Sequence, residues 1–360
     1  MNKIGFGFLR LPQTTGGTIN SSLLNQMVDA FLERGGVYFD TAYTYGQSET
    51  ALRESLVKRH PRERFQIADK LPSWMVRSAR DCQRYFDEQR ERCGVEYFDV
   101  YLLHWLNQKN YEICEQHDEF AFLQRLKAQG KIGKIGFSYH DSAALLDEIL
   151  TAHPETEIVQ LQLNYLDWDS AAIEGQKCYK TAVKHGKNVV VMEPVKGGTL
   201  AKLPQKAEKL FKAHSPDSPA RWALRFAQSL SQVSIVLSGM NRLEQVVENM
   251  EEMEPLTESE RSLTQQAARI IEEDTAVACT GCRYCTADCP RGIPIPDFFA
   301  MYNACQRNPE EDWKIQPVYQ RMAADCAKAS DCIQCGQCEN HCPQKIPIIF
   351  YLKQVADAFE

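Results

Sequence analysis

Short apolar runs alternate with longer amphipathic stretches over roughly the first two-thirds of the chain. Residues 4–11, 36–39, 65–69, 98–103, 134–138, 158–163, 189–192 and 234–237 have the length and the β-branched or aromatic content of buried strands. Between and after them, residues 21–34, 49–59, 76–92, 119–129, 143–151, 171–185, 219–230 and 242–250 carry apolar side chains at helical intervals. Strand then helix, repeated eight times in about 250 residues, is what a closed parallel barrel requires. Residues 105–118 are polar and aromatic without a clear period and read as a substrate loop, and Gly197-Gly198 opens a second loop. The chain starts almost directly on Ile4-Gly5-Phe6-Gly7, so the barrel floor is either open or covered by a later segment.

A chain of 360 residues exceeds one ordinary core, so two domains are expected. The fold expected is α/β: a (β/α)8 TIM barrel over residues 1–252, a charged helical connector over 253–275, and a second domain over 276–360. A net charge of −7 argues against a general nucleic-acid partner. No run approaches the ~18 apolar residues of a membrane span, and no charged-then-apolar leader opens the chain, so a cytoplasmic location without a membrane partner is expected. Fourteen cysteines change the picture, because eight of them fall in two tight groups after residue 278. In such a setting grouped cysteines point to metal rather than to disulfides.

Cys279-x2-Cys282-x2-Cys285-x3-Cys289-Pro290 is repeated as Cys332-x2-Cys335-x2-Cys338-x3-Cys342-Pro343. Three cysteines at steps of three wrap one face of a cubane, and the fourth reaches away. This is the bacterial ferredoxin spacing, in which the fourth cysteine ligates the other cluster. Two [4Fe-4S] clusters follow, one held by Cys279, Cys282, Cys285 and Cys342, the other by Cys332, Cys335, Cys338 and Cys289. Zinc is the alternative, but zinc sites favour separated pairs with four ligands each. The 42 residues between Cys289 and Cys332 are too many for a minimal ferredoxin hairpin, and 296–306 and 313–328 look helical. The second domain is therefore expected to be small, mainly α-helical and ferredoxin-like. Cys305, Cys326, Cys82, Cys93, Cys114 and Cys178 lie outside the pattern and read as buried thiols.

Three of the apolar runs lead into ionisable residues: 36–39 into Asp40, 65–69 into Lys70, and 98–103 into His104. In a parallel barrel these strand ends share one face, where barrel enzymes carry their chemistry. Asp40-Thr41-Ala42 with Tyr45-Gly46, then Lys70, then Leu102-Leu103-His104, then Gly133-Lys134-Ile135-Gly136-Phe137-Ser138, resemble the aldo-keto reductase family over residues 1–252. The resemblance implies that Tyr45 gives a proton to the developing alkoxide, Lys70 tunes Tyr45, Asp40 holds Lys70, and His104 orients the substrate oxygen. A free tyrosine titrates near ~10, and a nearby ammonium is what makes it a usable acid at neutral pH.

The resemblance also implies NADP or NAD as cofactor, with a flavin as the alternative. Gly7 allows close approach of the backbone, Ser138 and Gln160 match positions that hold the nicotinamide carboxamide, and Met192 stands where relatives stack an aromatic ring. Ser238, Gly239, Met240, Arg242, Gln245 and Asn249 lie in the stretch that wraps the adenosine diphosphate end. Gly239 and Gln245 stand where many relatives have basic residues against a 2′-phosphate, and Arg242 is the guanidinium that can replace them.

Nicotinamide moves electrons in pairs, and an iron–sulfur cluster moves them singly. The expected function is an oxidoreductase that reduces a small-molecule carbonyl or oxidises an alcohol, coupled through the clusters to ferredoxin or flavodoxin or to a bound flavin. The alternative is an electron-transfer or redox-sensing protein that keeps the barrel as a ligand site. A complete Asp-Tyr-Lys-His set disfavours it, because a sensor has no need of a tuned tyrosine.

Overall fold

A computed structural model describes residues 3–307 and 312–360 of the chain. Met1 and Asn2, part of the segment in which an open floor was considered, lie outside the described residues. Strands β1 (Ile4–Gly7), β2 (Tyr38–Asp40), β3 (Gln66–Leu71), β4 (Phe98–Leu106), β5 (Ile132–Tyr139), β6 (Ile158–Gln162), β7 (Asn188–Met192) and β8 (Val233–Ser238) close into a barrel in sequence order. Every neighbouring pair is parallel, including β1 with β8. Strands covered on both faces need no polar alternation, which is why Val189-Val190-Val191 reads as an unbroken apolar run.

Alternation decides what faces inward. Tyr38, Ala68, Val100, Leu102, Ile158, Val190 and Leu237 form one buried cluster, which fills the barrel interior. Gly5 belongs to the same layer. A Cβ there would sit 2.8 Å from Ile235, 2.9 Å from Leu237 and 3.1 Å from Tyr38. Counting by twos from this layer reaches Gly7, Asp40, Lys70, His104, Gln160 and Met192, and on β5 Ser138 lies two residues after Gly136, which pairs with Leu102 and Ile158. These residues thus lie on one side of the sheet.

Helices α1 (Ser21–Glu33), α2 (Ser48–Leu52), α3 (Ala79–Cys93), α4 (Gln108–Gln116), α5 (Glu119–Ala128), α6 (Ala143–Ala152), α7 (Gly175–Lys184), α8 (Gln205–Lys212), α9 (Pro219–Gln228) and α10 (Leu243–Asn249) connect and follow the strands. Two of these correct the sequence reading. Residues 108–116 are helical rather than loop: Asn107 caps α4 by accepting from Asn110 N at 2.9 Å, and Tyr111 and Cys114 bury one face. The apolar stripe is one residue per turn wide, too narrow to show as a period. Helix α8 was also missed, in the stretch after Gly197-Gly198.

The chain forms two compact units. One holds the barrel strands, and the other takes in Ser170–Ile173, Val195–Ala220 and the described residues of Glu258–Glu360. In the second unit follow α11 (Glu258–Asp274), α12 (Tyr284–Ala287), α13 (Ile295–Arg307), α14 (Asp312–Asp325), α15 (Gln337–Asn340) and α16 (Ile348–Phe359). The charged stretch 253–275 is thus largely helix α11, which packs on α8 within this unit. Phe298, Phe299, Tyr319, Leu352, Val355 and Phe359 make the core of the unit together with Cys285 and Cys338.

Candidate active site and cluster-binding loops

Asp40 closes β2, and the turn after it carries Tyr45. That turn is held from both ends: Thr41 Oγ1 lies 2.7 Å from Ser48 Oγ, which donates to the Phe8 carbonyl at 3.0 Å. Gly46 follows Tyr45 at φ +61°, a conformation that suits glycine. On β3, Lys70 is 0% exposed, and its Nζ donates to Asp40 Oδ1 at 2.7 Å and to the Thr41 carbonyl at 2.6 Å. The same nitrogen lies 5.1 Å from the centre of the Tyr45 ring. The His104 ring stands edge-on to Tyr45 with centroids 5.8 Å apart. Asp40, Tyr45, Lys70 and His104 are thereby brought together at one end of the barrel.

Burial pushes the Asp40 carboxyl up, and the Lys70 ammonium opposes it. Burial first, then Lys70 and His140, hold His104 well below the ordinary imidazole range. His104 is therefore neutral at pH 7, and its Nδ1 makes no hydrogen bond among the described residues. A neutral imidazole can orient a carbonyl oxygen without adding charge beside Lys70.

An aromatic wall adjoins His104: Trp74 lies 5.1 Å from its ring, and Trp105 lies 5.5 Å from Trp74. Trp105 has φ +61°, rare for a bulky residue. Its N–H donates to Ser138 Oγ at 2.7 Å, and its carbonyl accepts from Asn110 Nδ2 at 2.7 Å. The pairing of β4 with β5 shifts register between Leu103 and Leu106 to accommodate it. Ser138, singled out from sequence for the cofactor, thus also holds backbone. Gln160 Oε1 is buried without a hydrogen bond among the described residues, while its Nε2 lies 3.7 Å from Met192 Sδ. An orphan acceptor of this kind suits the amide protons of a carboxamide.

The adenosine-end candidates divide. Ser238 Oγ accepts from Asn249 Nδ2 at 3.0 Å, so this pair joins β8 to α10. Gln245 Oε1 accepts the N–H groups of Asn241 and Arg242 and caps α10. Met240 is buried, whereas Gly239 and Arg242 are exposed.

The sequence reading did not single out a second buried polar group behind Lys70. Glu49, Asp69 and Cys93 each offer a donor atom within 4.8 Å of the other two. Asp69 Oδ1 accepts the Lys70 N–H at 2.8 Å, and Asp69 Oδ2 accepts from the Cys93 thiol at 3.6 Å. Burial, reinforced by Glu49, drives the Asp69 carboxyl well above the usual range. The signal lay in the alternation itself, which turns Asp69 to the face opposite Lys70.

In the second unit the two cysteine runs have the same backbone. Gly281 and Arg283 take left-handed φ in the first run, and Gln334 and Gly336 at the same offsets in the second. Gly292 follows Cys289 at +65°, and Lys345 follows Cys342 at +51°, again at equal offsets. Cys279, Cys282, Cys285 and Cys342 line one open pocket, with Ile295, Phe299 and Ile348 among its apolar walls. Burial pushes the Cys342 thiol up, and the backbone N–H groups of Ile346, Gln344 and Lys345 act against that rise. Four convergent cysteines and apolar walls, with the Gly281 N–H donating to Cys279 Sγ at 3.4 Å, fit a cluster of this type. Cys82, Cys93, Cys114 and Cys178 are buried as expected. Cys305 is half-buried and Cys326 exposed, against the expectation of buried thiols; Cys326 lies just past the end of α14, where no neighbour covers it enough to exclude solvent.

Two family models match the chain. The model of the aldo/keto reductase family matches residues 3–269, and that of a 4Fe-4S dicluster domain matches residues 278–346. The chain belongs to the aldo/keto reductase family and carries a C-terminal 4Fe-4S dicluster domain. An aldo-keto reductase of Mycolicibacterium smegmatis is 32% identical over 133 residues, 37% of this chain and 45% of that protein. The chain thus spans less than half the length of that curated relative. An aldo-keto reductase from Bacillus halodurans, solved in its holo form, superposes with a TM-score of 0.59 at 23% identity, over 74% of this chain and 91% of that one. One from Klebsiella pneumoniae, solved with NADP and acetate, gives 0.56 at 18% identity over 73% and 90%. These solved structures share the barrel fold.

Proposed function

We propose that the protein is an oxidoreductase that reduces a small carbonyl compound, or oxidises the matching alcohol, with NADP or NAD. Two [4Fe-4S] clusters in the second unit connect it to a one-electron carrier such as ferredoxin or flavodoxin. The observation that carries this reading is the Lys70 ammonium, bonded to Asp40 at 2.7 Å and lying 5.1 Å from the Tyr45 ring centre. Tyr45 gives its phenolic proton to the carbonyl oxygen. Lys70 favours the phenolate left behind, and Asp40 keeps Lys70 charged and aimed. His104, neutral through burial, orients the oxygen by a hydrogen bond. When bound, reduced nicotinamide supplies the hydride.

The orphan Gln160 oxygen supports a carboxamide at that end of the barrel, and exposed Arg242 offers a guanidinium to a 2′-phosphate. The NADP held by the Klebsiella protein favours NADP over NAD. Cys279, Cys282, Cys285 and Cys342 would hold one cluster, and Cys332, Cys335, Cys338 and Cys289 the other.

The test uses anaerobically reconstituted protein with NADPH, NADH and a panel of carbonyl compounds, in wild type and Tyr45→Phe. Carbonyl reduction should fall by roughly 10²–10⁴-fold in the variant, the usual contribution of a positioned acid. Binding of the carbonyl compound should change little. Equal turnover by the two proteins would remove Tyr45 from the chemistry and with it the assignment of the four residues.

A further inference from the structure

The second unit contains a buried lysine that the proposed chemistry does not use. Lys196 is 4% exposed and follows Met192, the last residue of β7, by four positions. Its Nζ donates to Gln344 Oε1 at 2.9 Å, across 148 residues of sequence. The backbone is bent to deliver it: Lys196 has φ +45°, and Gly197 and Gly198 follow at +65° and +103°. A residue with a side chain is disfavoured in that region. Burying an ammonium costs more unless polar partners compensate. Strain and desolvation at one residue point to a gain elsewhere.

Gln344 shows where the gain lies. It stands two residues after Cys342 and lines the pocket of Cys279, Cys282, Cys285 and Cys342. Its own N–H is one of the three that act against the burial-driven rise of the Cys342 thiol. Holding the Gln344 side chain therefore holds the backbone beside a cluster ligand. The second repeat is built differently at this point: Arg291 takes the position of Gln344 and lies 3.8 Å from Asp331. Hydrogen bonds to the sulfurs and nearby positive charge stabilise the more negative, reduced state of a cluster and raise its potential.

We propose that Lys196 is a positioning residue for the cluster held by Cys279, Cys282, Cys285 and Cys342. By gripping Gln344 it fixes the backbone that follows Cys342 along the wall of this pocket and keeps this cluster at a higher potential than it would otherwise have. The segment that leaves the end of β7 thus controls one cluster and not the other. The inference rests on the two-cluster reading given above.

The test is an EPR-monitored redox titration of the anaerobically reconstituted full chain, with iron measured on the same samples. Wild type and Lys196→Met should each hold about eight irons. In Lys196→Met one midpoint potential should move lower while the other stays. Lys196→Arg should remain near wild type, and Gln344→Leu should reproduce the shift from the other side of the bond. Should Lys196→Met not accumulate as folded protein, Gln344→Leu carries the test alone. Two unmoved potentials, two potentials moving together, or loss of about four irons on substitution would overturn the role of Lys196. Fewer than about eight irons in the wild type would instead remove the two-cluster reading itself.

Discussion

Asp69 and Lys70 are consecutive on β3, and their side chains serve opposite faces of the sheet. Lys70 Nζ meets Asp40 Oδ1 at 2.7 Å in the barrel interior, while Asp69 Oδ2 takes the Cys93 thiol at 3.6 Å on the helix side. A one-residue slip of β3 would exchange them and leave the interior with two facing carboxylates. The register Lys70↔Leu102 and Ala68↔Val100 prevents this by seating apolar neighbours on the inner face. A lysine on one side of the strand and a carboxyl raised by burial on the other are set by the same alternation.

Lys70→Met tests the inner face. Asp40 would keep its 3% exposure but lose the cation that opposes its burial. Breaking a buried pair from one side costs about 3–5 kcal/mol, much of it the stranded charge. The double variant Lys70→Met with Asp40→Leu should recover most of that loss. Chemical denaturation of the three proteins at neutral pH provides the comparison. A double variant no more stable than the single one would show that the carboxylate is not the source of the cost.

Asp69→Asn tests the outer face through pH. The folded carboxyl lies well above its ordinary value of 3.8, chiefly because it is buried and then because of Glu49. The folded protein therefore keeps a proton that the unfolded chain releases. That contribution is fully present below the unfolded value and is lost as pH rises through the folded one. Asparagine has no proton to lose and can still accept the Lys70 N–H. Relative to wild type, Asp69→Asn should gain stability as pH rises from the carboxylate range towards neutral. Urea midpoints measured across pH would read this, and a constant difference would show that Asp69 is ionised throughout.

How much of this was legible varies with the distance over which it is encoded. The eight strands follow from short apolar runs, and the convergence of Asp40, Lys70 and His104 from the positions of those runs' ends, which are local. The cysteine runs were legible because ligand spacing is local too. Helix α4 escaped because its buried face carries just Asn110, Tyr111 and Cys114, too short a stripe to show a period. The Glu49–Asp69 contact and the Lys196–Gln344 bond escaped for a different reason. Each joins elements whose proximity is set by packing, 20 and 148 residues apart, and nothing in the local pattern marks them.

Ser138→Ala separates a structural role from a cofactor role. Ser138 Oγ is the acceptor for the N–H of Trp105, which sits at φ +61°. Removing the acceptor leaves a largely buried donor unsatisfied, at a cost of about 1–3 kcal/mol. The variant should unfold at lower denaturant concentration without any nicotinamide present. If stability is unchanged while nicotinamide binding weakens, the hydroxyl serves the cofactor alone.

The covered face of α8 bears on whether the barrel can be isolated. Ala207 and Phe211 on that helix are buried, and α8 packs on α11, whose Ala267 and Ile271 are buried as well. In the full chain, Phe211→Ala should cost about 3–5 kcal/mol, the usual range for a large aromatic in a core. Ending the chain after Thr257 removes α11 and everything beyond it, yet leaves α8 in place. The apolar face so uncovered costs about 25 cal/mol per Å². The shortened chain should aggregate or melt well below the full one even though Asp40, Tyr45, Lys70 and His104 are all retained. Phe211→Glu placed in the shortened chain should then restore solubility, because a charge replaces the exposed ring. A shortened chain that melts like the intact protein would show that α8 finds its cover without α11. If Phe211→Glu leaves aggregation unchanged, the instability arises elsewhere in the shortened chain.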